Sequence, residues 1–186
     1  MTDDILNTLD SNFAKTIKTL LQELRSEGYT IKPTQGLRTL EQQAKLWRRG
    51  RSTSIIKQRI DFLKENNCEF LANILEKAGP QKETKIATNA IPGLSWHNWG
   101  LACDFLFFDK NNKIIHNGDA PEYKILAEKA ENLELTSSLS FKSIREAGHI
   151  QAHQFEVLSR QTLQYVNNHF KNLAANEIRH TAQTHC

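Results

Sequence analysis

Leu101-Ala102-Cys103-Asp104-Phe105-Leu106-Phe107-Phe108 is the stretch on which the fold turns. Laid out as a strand, it alternates between one face of Leu101, Cys103, Phe105 and Phe107 and another of Ala102, Asp104, Leu106 and Phe108. Both faces are apolar apart from Asp104, so the strand reads as central and covered on both sides. A carboxylate there costs several kcal/mol unless it is paired, hydrogen-bonded or metal-bound. Asp109-Lys110-Asn111-Asn112 reads as a turn, and Lys113 to His116 as the returning strand of a hairpin. Before the stretch, residues 81–100 are polar and then turn-rich, with Pro92, Gly93 and Gly100.

Short strands are also expected over Tyr29–Thr34 and His149–Phe155. Helical periodicity dominates elsewhere. Leu6, Leu9, Phe13, Ile17, Leu20 and Leu24 recur at steps of three and four, predicting one helix over Asp3–Glu27 that stops at Gly28. A second helix is expected to open at Thr39, with Gln42 as capping-box partner, and to stop at Gly50. Ser54–Ala78 reads as helix, broken at Asn66-Asn67 and ended by Gly79-Pro80. Pro121–Leu133 reads as helix with Pro in its first turn. Ser159–Leu173 reads as a closing helix followed by a frayed tail of a dozen residues. The class predicted is α+β, a small central antiparallel sheet flanked by helices. A single domain over residues 1–186 is expected, with a helical insertion at about 52–80 and a C-terminal helix and tail at about 156–186.

The 186 residues carry 24 Lys+Arg and 21 Asp+Glu, a net charge of +3, and 39% are hydrophobic. That balance excludes a disordered tail, a collagen and a coiled-coil rod. No run approaches the roughly 18 apolar residues of a membrane span, so no stable membrane insertion is expected. Asp3, Asp4 and Asp10 interrupt the first twenty residues, so synthesis in the cytoplasm without a secretory signal is expected. Cys68, Cys103 and Cys186 are odd in number and far apart, and read as reduced thiols.

Asp104 has company. His97 lies seven residues upstream, in the turn before the strand, and Glu146-Ala147-Gly148-His149 opens another predicted strand. Two His and one Asp suit a tetrahedral Zn²⁺ with a fourth position left for water, and Glu146 is spaced to act as general base. The residues alone leave alternatives open. Asp104 would also be satisfied by backbone N–H groups or an Arg, Glu146 by solvent, and Arg38 by an ion pair to Glu41. His153, four residues after His149, lies about 13 Å along a strand and is expected to be structural. His116, His169, His180 and His185 are expected at the surface.

Ser95-Trp96-His97-Asn98-Trp99-Gly100-Leu101-Ala102-Cys103-Asp104 resembles the S-x-H-x-x-G-x-A-x-D signature of the zinc D,D-carboxypeptidase and L-alanyl-D-glutamate peptidase family, to which hedgehog domains are similar in fold. Gly36-Leu37-Arg38-Thr39 with Gln43 is similar to the family's G-x-R-[ST]-x-x-x-Q segment. Lys85–Ala90 resembles the lead-in of the L-alanyl-D-glutamate branch, and Glu146–His149 the closing [DE]-x-x-H segment. The resemblance implies that His97, Asp104 and His149 hold one Zn²⁺ per chain. It implies Glu146 as base and later proton donor, Arg38 for a substrate carboxylate or oxyanion, and Ser95 as a substrate-side group. The reaction implied is metal-assisted hydrolysis of an amide in a peptidoglycan stem peptide.

Four departures stand out. The 51–85 segment is long, Glu146 stands where the L-alanyl-D-glutamate branch more often has Asp, Gly148 replaces a Pro, and Ser137-Ser138-Leu139-Ser140-Phe141 replaces an expected Trp-rich, Gly-Gly-Asp run. Trp47 reads as core, whereas Trp96 and Trp99 flank His97 and one of them, Trp99, is a candidate cleft residue. Lys45, Arg48, Arg49 and Arg51 read as a solvated helix end, with anionic wall polymer as the other reading. The small charge excess and missing recognition module argue against nucleic acid. The expected function is an L-alanyl-D-glutamate endopeptidase of endolysin or delivered-effector type, acting as a monomer on the cell wall after release or delivery. The alternatives are a D-alanyl-D-alanine carboxypeptidase and a non-catalytic zinc-containing binding module.

Overall fold

A computed structural model of the 186-residue chain describes residues 2–79, 85–141, 146–153 and 160–183. The chain divides into two compact units: residues 1–39 with 96–155, and residues 40–95 with 156–186.

The first unit is built on the apolar strand β2 (Ala102–Phe108). It sits inside a four-stranded antiparallel sheet of order β1-β2-β4-β3, with β1 at Thr30–Gln35, β3 at Leu135–Ser137 and β4 at His149–Ala152. Ala102 to Phe105 are all buried, as expected of a strand covered on both faces. Helices α1 (Thr2–Leu6), α2 (Ser11–Ser26) and α6 (Pro121–Asn132) complete the unit. Ile17, Leu20, Leu24 and Leu126 join Ile31, Phe105, Phe107 and Ile150 in one core. Pro33 is tolerated inside β1 because β1 is an edge strand. The register slips between Pro33 and Gln35, which sets Gln35 opposite Asp104.

The first helix is two helices, not one. Asp10 leaves helical geometry (φ −51°, ψ 139°) and its carboxylate accepts the N–H groups of Asn12 and Phe13. An N-cap of this kind contributes about 1 kcal/mol, enough to restart the helix while Leu6 and Leu9 stay in the core. Lys113–His116 forms no strand. The Asp109 carboxylate accepts the N–H groups of Asn111 and Lys113, and only a single bridge, Phe108 to Ile114, follows. β3 escapes the hydrophobic pattern because it is only three residues long. β4 is described to Ala152; the expected continuation to Phe155 falls partly outside the described residues.

The second unit is helical: α3 (Leu40–Arg48), α4 (Thr53–Glu65), α5 (Glu69–Lys77) and α7 (Arg160–Gln183). The break between α4 and α5 falls where expected, with Asn67 in the left-handed region (φ 57°). Helix α7 extends ten residues past Leu173, so that stretch of the expected tail is helical. Leu71, Leu75 and Trp47 are buried, and Asn167 accepts the Leu71 N–H at 3.1 Å. Two cations of the basic cluster are structural rather than solvated. Arg48 donates to the Leu75 carbonyl at 2.8 Å, and Arg51 donates to the Thr88 carbonyl at 2.9 Å while stacking over Trp47.

Candidate metal centre

Three elements of the sheet unit bring His97, Asp104 and His149 together. His97 lies in a 3₁₀ turn, Trp96–Trp99, that ends at Gly100 (φ +70°) and feeds directly into β2. A side chain at Gly100 would meet the Asp10 backbone nitrogen at 2.9 Å, so the turn needs glycine for both its conformation and its close approach. Asp104 and His149 are direct cross-strand partners, which puts their side chains on one face of the sheet.

The donor atoms form a tight triangle. His149 Nδ1 lies 2.8 Å from Asp104 Oδ1, His97 Nε2 lies 3.2 Å from the same oxygen, and the two ring nitrogens are 3.3 Å apart. A tetrahedral cation with bonds of about 2.0–2.1 Å requires donors about 3.3 Å from each other. The set therefore fits Zn²⁺ in spacing and in chemistry. The outer nitrogens are also committed: His97 Nδ1 lies 2.7 Å from the Gly36 carbonyl, and His149 Nε2 lies 3.0 Å from Gln151 Oε1. A hydrogen on each outer nitrogen leaves His97 Nε2 and His149 Nδ1 free to face a cation.

His97 is 2% and Asp104 6% exposed. Burial alone would raise the Asp104 pKa, but hydrogen bonds with His149 and His97 and their charge hold it well below the usual carboxylate range. Burial works to lower the His149 pKa, and the Asp104 hydrogen bond and charge overcome it and raise it. An anionic carboxylate between two imidazoles is a site prepared for positive charge.

Glu146 and Arg38 border the triangle. Glu146 is exposed, yet desolvation by the surrounding protein and the charge of Asp104 raise its pKa, while His149, His97 and Arg38 oppose the rise. Its carboxyl thus lies within electrostatic reach of the whole set. The turn from Glu146 to His149 is closed by a hydrogen bond from the His149 N–H to the Glu146 carbonyl at 2.9 Å. Gly148 is obligatory there, because a Cβ would stand 2.0 Å from the Phe105 carbonyl oxygen. Arg38 is buried. Its backbone N–H bonds the His97 carbonyl, and its guanidinium donates to Gln35 Oε1 at 2.9 Å and lies 3.7 Å from Asp104 Oδ2. Asn98 donates to the Arg38 carbonyl at 2.8 Å and ties the Arg38 loop to the His97 turn.

The model of the D-alanyl-D-alanine carboxypeptidase family VanY matches residues 6–156. The chain belongs to the VanY family. Among solved structures, this VanY-family chain is similar to a vancomycin-resistance D,D-pentapeptidase VanY solved in complex with Zn(II), at 17% identity and a TM-score of 0.44, over 86% of this chain and 78% of that one. It is also similar to the Serratia marcescens L-Ala D-Glu endopeptidase ChiX, at 11% identity and a TM-score of 0.44, over 81% and 85% of the two chains. A third likeness is to the LD-carboxypeptidase LdcB, at 18% identity and a TM-score of 0.43, over 87% and 64%. No curated protein matches the chain.

The other expected residues of this VanY-family chain fall into two groups, those flanking the His97 turn and those away from it. Ser95 is buried and immediately precedes the 3₁₀ turn in the chain; Trp99 is half-buried at the end of that turn. His153 is exposed beyond the end of β4. His116 is exposed, whereas His169 is half-buried against Phe170 and Tyr165; His180 and His185 lie outside the described side chains. Gln35, Gln151, Ser138 and Phe141 border the site, and the sequence pattern assigns none of them a role. Gln151 was within reach, since a residue two along from His149 on a strand shares its face. Phe141, whose ring centre is 6.4 Å from that of His149, had no such signal.

Proposed function

We propose that this VanY-family chain is a zinc peptidase that hydrolyses the L-alanyl-D-glutamyl amide of peptidoglycan stem peptides. The observation that carries the peptidase reading is the His97/Asp104/His149 triangle with the Glu146 carboxyl in its field. The likeness of Lys85–Ala90 to the L-alanyl-D-glutamate branch favours that bond. The cation, when bound, supplies Lewis-acid polarisation of an amide carbonyl and a lowered pKa for water.

The chain's own residues do the rest. Glu146 accepts a proton from the attacking water and returns it to the leaving amine. Its carboxyl stands in the electrostatic field of the triangle, where one group can serve as base and then as acid. Arg38 is held by Gln35 and by its own backbone, so its guanidinium is oriented before substrate arrives. It receives a substrate carboxylate or the oxygen on which negative charge develops. Ser95 supplies a substrate-side hydrogen bond and Trp99 an aromatic wall. The stem peptide lies in the cell wall, and the chain acts there.

The family's own description supports a second reading, D-alanyl-D-alanine carboxypeptidase, in which Arg38 holds the free terminal carboxylate. A digest of purified sacculi, with and without chelator and read by mass spectrometry, separates the two. New D-glutamyl amino termini, lost on chelation and restored by Zn²⁺, are expected. Release of D-alanine alone moves the assignment to the carboxypeptidase. Absence of any metal-dependent product rejects both in favour of a zinc-containing binding module.

A further inference from the structure

The Ser137–Phe141 stretch adjoins the centre, with the Phe141 ring centre 6.4 Å from that of His149. Ser138 opens a short 3₁₀ turn, Ser138–Ser140, and is 2% exposed. The turn is braced by its neighbours. Ser137 Oγ accepts the Leu139 N–H at 3.3 Å, Ser140 donates to the Ser137 carbonyl at 2.8 Å, and the Phe141 N–H bonds the Ser138 carbonyl at 3.0 Å. The Ser138 hydroxyl is thereby aimed at one residue. It accepts the Glu146 N–H at 3.1 Å and donates to the Glu146 carbonyl. A hydroxyl has one hydrogen and two lone pairs, so both bonds form at once.

The Glu146 carbonyl is shared. It also accepts the His149 N–H at 2.9 Å. Ser138 and the backbone of His149 therefore grip the same peptide unit from two sides. Gly148 leaves the intervening turn no slack against Phe105. The position of the Glu146 side chain relative to the His97/Asp104/His149 triangle is then set through its backbone, from a buried side chain that belongs to neither the triangle nor the cleft.

We infer that Ser138 is a positioning residue for the general base: its hydroxyl fixes the Glu146 peptide so that the carboxyl is held in register with the metal ligands. The inference rests on the reading of Glu146 as base. A displacement of about 1 Å at a reacting group costs up to about 100-fold in rate, so the effect belongs in kcat rather than in binding.

The test compares the zinc-loaded full-length wild type with Ser138→Ala, Ser138→Thr, Glu146→Gln and the Ser138→Ala/Glu146→Gln double variant. For Ser138→Ala, kcat on the stem peptide is expected to fall tenfold or more, with KM and zinc affinity within twofold. Ser138→Thr keeps the hydroxyl and is expected to restore most of kcat. In the Glu146→Gln background, Ser138→Ala is expected to cost nothing further. Amide hydrogen exchange supplies a readout independent of turnover: the Glu146 N–H is expected to exchange at least tenfold faster in Ser138→Ala.

An unchanged kcat in Ser138→Ala with an inactive Glu146→Gln overturns the positioning role and leaves the base in place. Full activity in Glu146→Gln removes the base and the positioning role together. An equal loss in kcat, KM and zinc affinity, or unchanged Glu146 exchange, reduces Ser138 to a structural contact and overturns the inference.

Discussion

The carboxyl of Glu146 and the missing side chain of Gly148 carry opposite kinds of necessity. Glu146→Gln keeps the shape of the turn and removes only the proton acceptor. Turnover is expected to fall by about 10²–10⁴, while metal analysis still finds stoichiometric zinc; unchanged hydrolysis would remove Glu146 from its role. Gly148→Ala fails for a geometric reason, since the new Cβ would lie 2.0 Å from the Phe105 carbonyl oxygen. The same peptide accepts the Phe105 N–H at 2.9 Å, so relief by moving the turn breaks a hydrogen bond. A loss of roughly 3 kcal/mol or more is expected in denaturant unfolding of the metal-free protein. A loss under about 1 kcal/mol would mean the turn has slack that the structure does not show. At this scale the sequence was most legible where chemistry is local. An Asp in an apolar strand and His97 seven residues before it announced themselves. Ser138 and Phe141 did not, because their partners Glu146 and His149 are reached only through the fold.

At the scale of elements, antiparallel pairing does the assembling. β2 offers Asp104 to both neighbours: Gln35 of β1 on one side and His149 of β4 on the other. The bulge in β1 aligns Gln35 with that row, and Gln35 then holds Arg38. Gln151, two residues along β4 from His149, fixes the outer ring nitrogen of that ligand. Gln151→Leu is therefore expected to weaken zinc binding by about 10–100-fold, read by competition with a chelating indicator. Unchanged affinity would show that the Asp104 contact alone orients the ring. The α+β class and the central place of β2 were readable because both faces of Leu101–Phe108 are apolar. The break at Asp10, the lost hairpin at 113–116 and the three-residue β3 were not, because side-chain caps and short pairings leave no periodicity.

For the molecule as a whole, the metal centre links folding to pH. Asp104 is held below the usual carboxylate range, so its contribution is present above its unfolded pKa of about 3.9 and is lost as pH falls through the lower folded value. His149 is raised, so its contribution is fully present below its unfolded pKa of about 6.5 and is lost as pH rises through the higher folded value. The metal-free protein should accordingly be favoured by this pair in mildly acid solution and lose that support toward alkaline pH. Zinc has the reverse preference, because it needs His149 neutral and competes with the proton for Nδ1. The difference in Tm between zinc-loaded and chelated protein is thus expected to be small near pH 5 and to grow up to pH 8. Thermal scans of both forms across that range check it, with His149→Ala as control, in which the zinc-dependent shift should largely vanish at every pH. A shift that stays constant with pH, or survives in His149→Ala, would place the cation on other ligands.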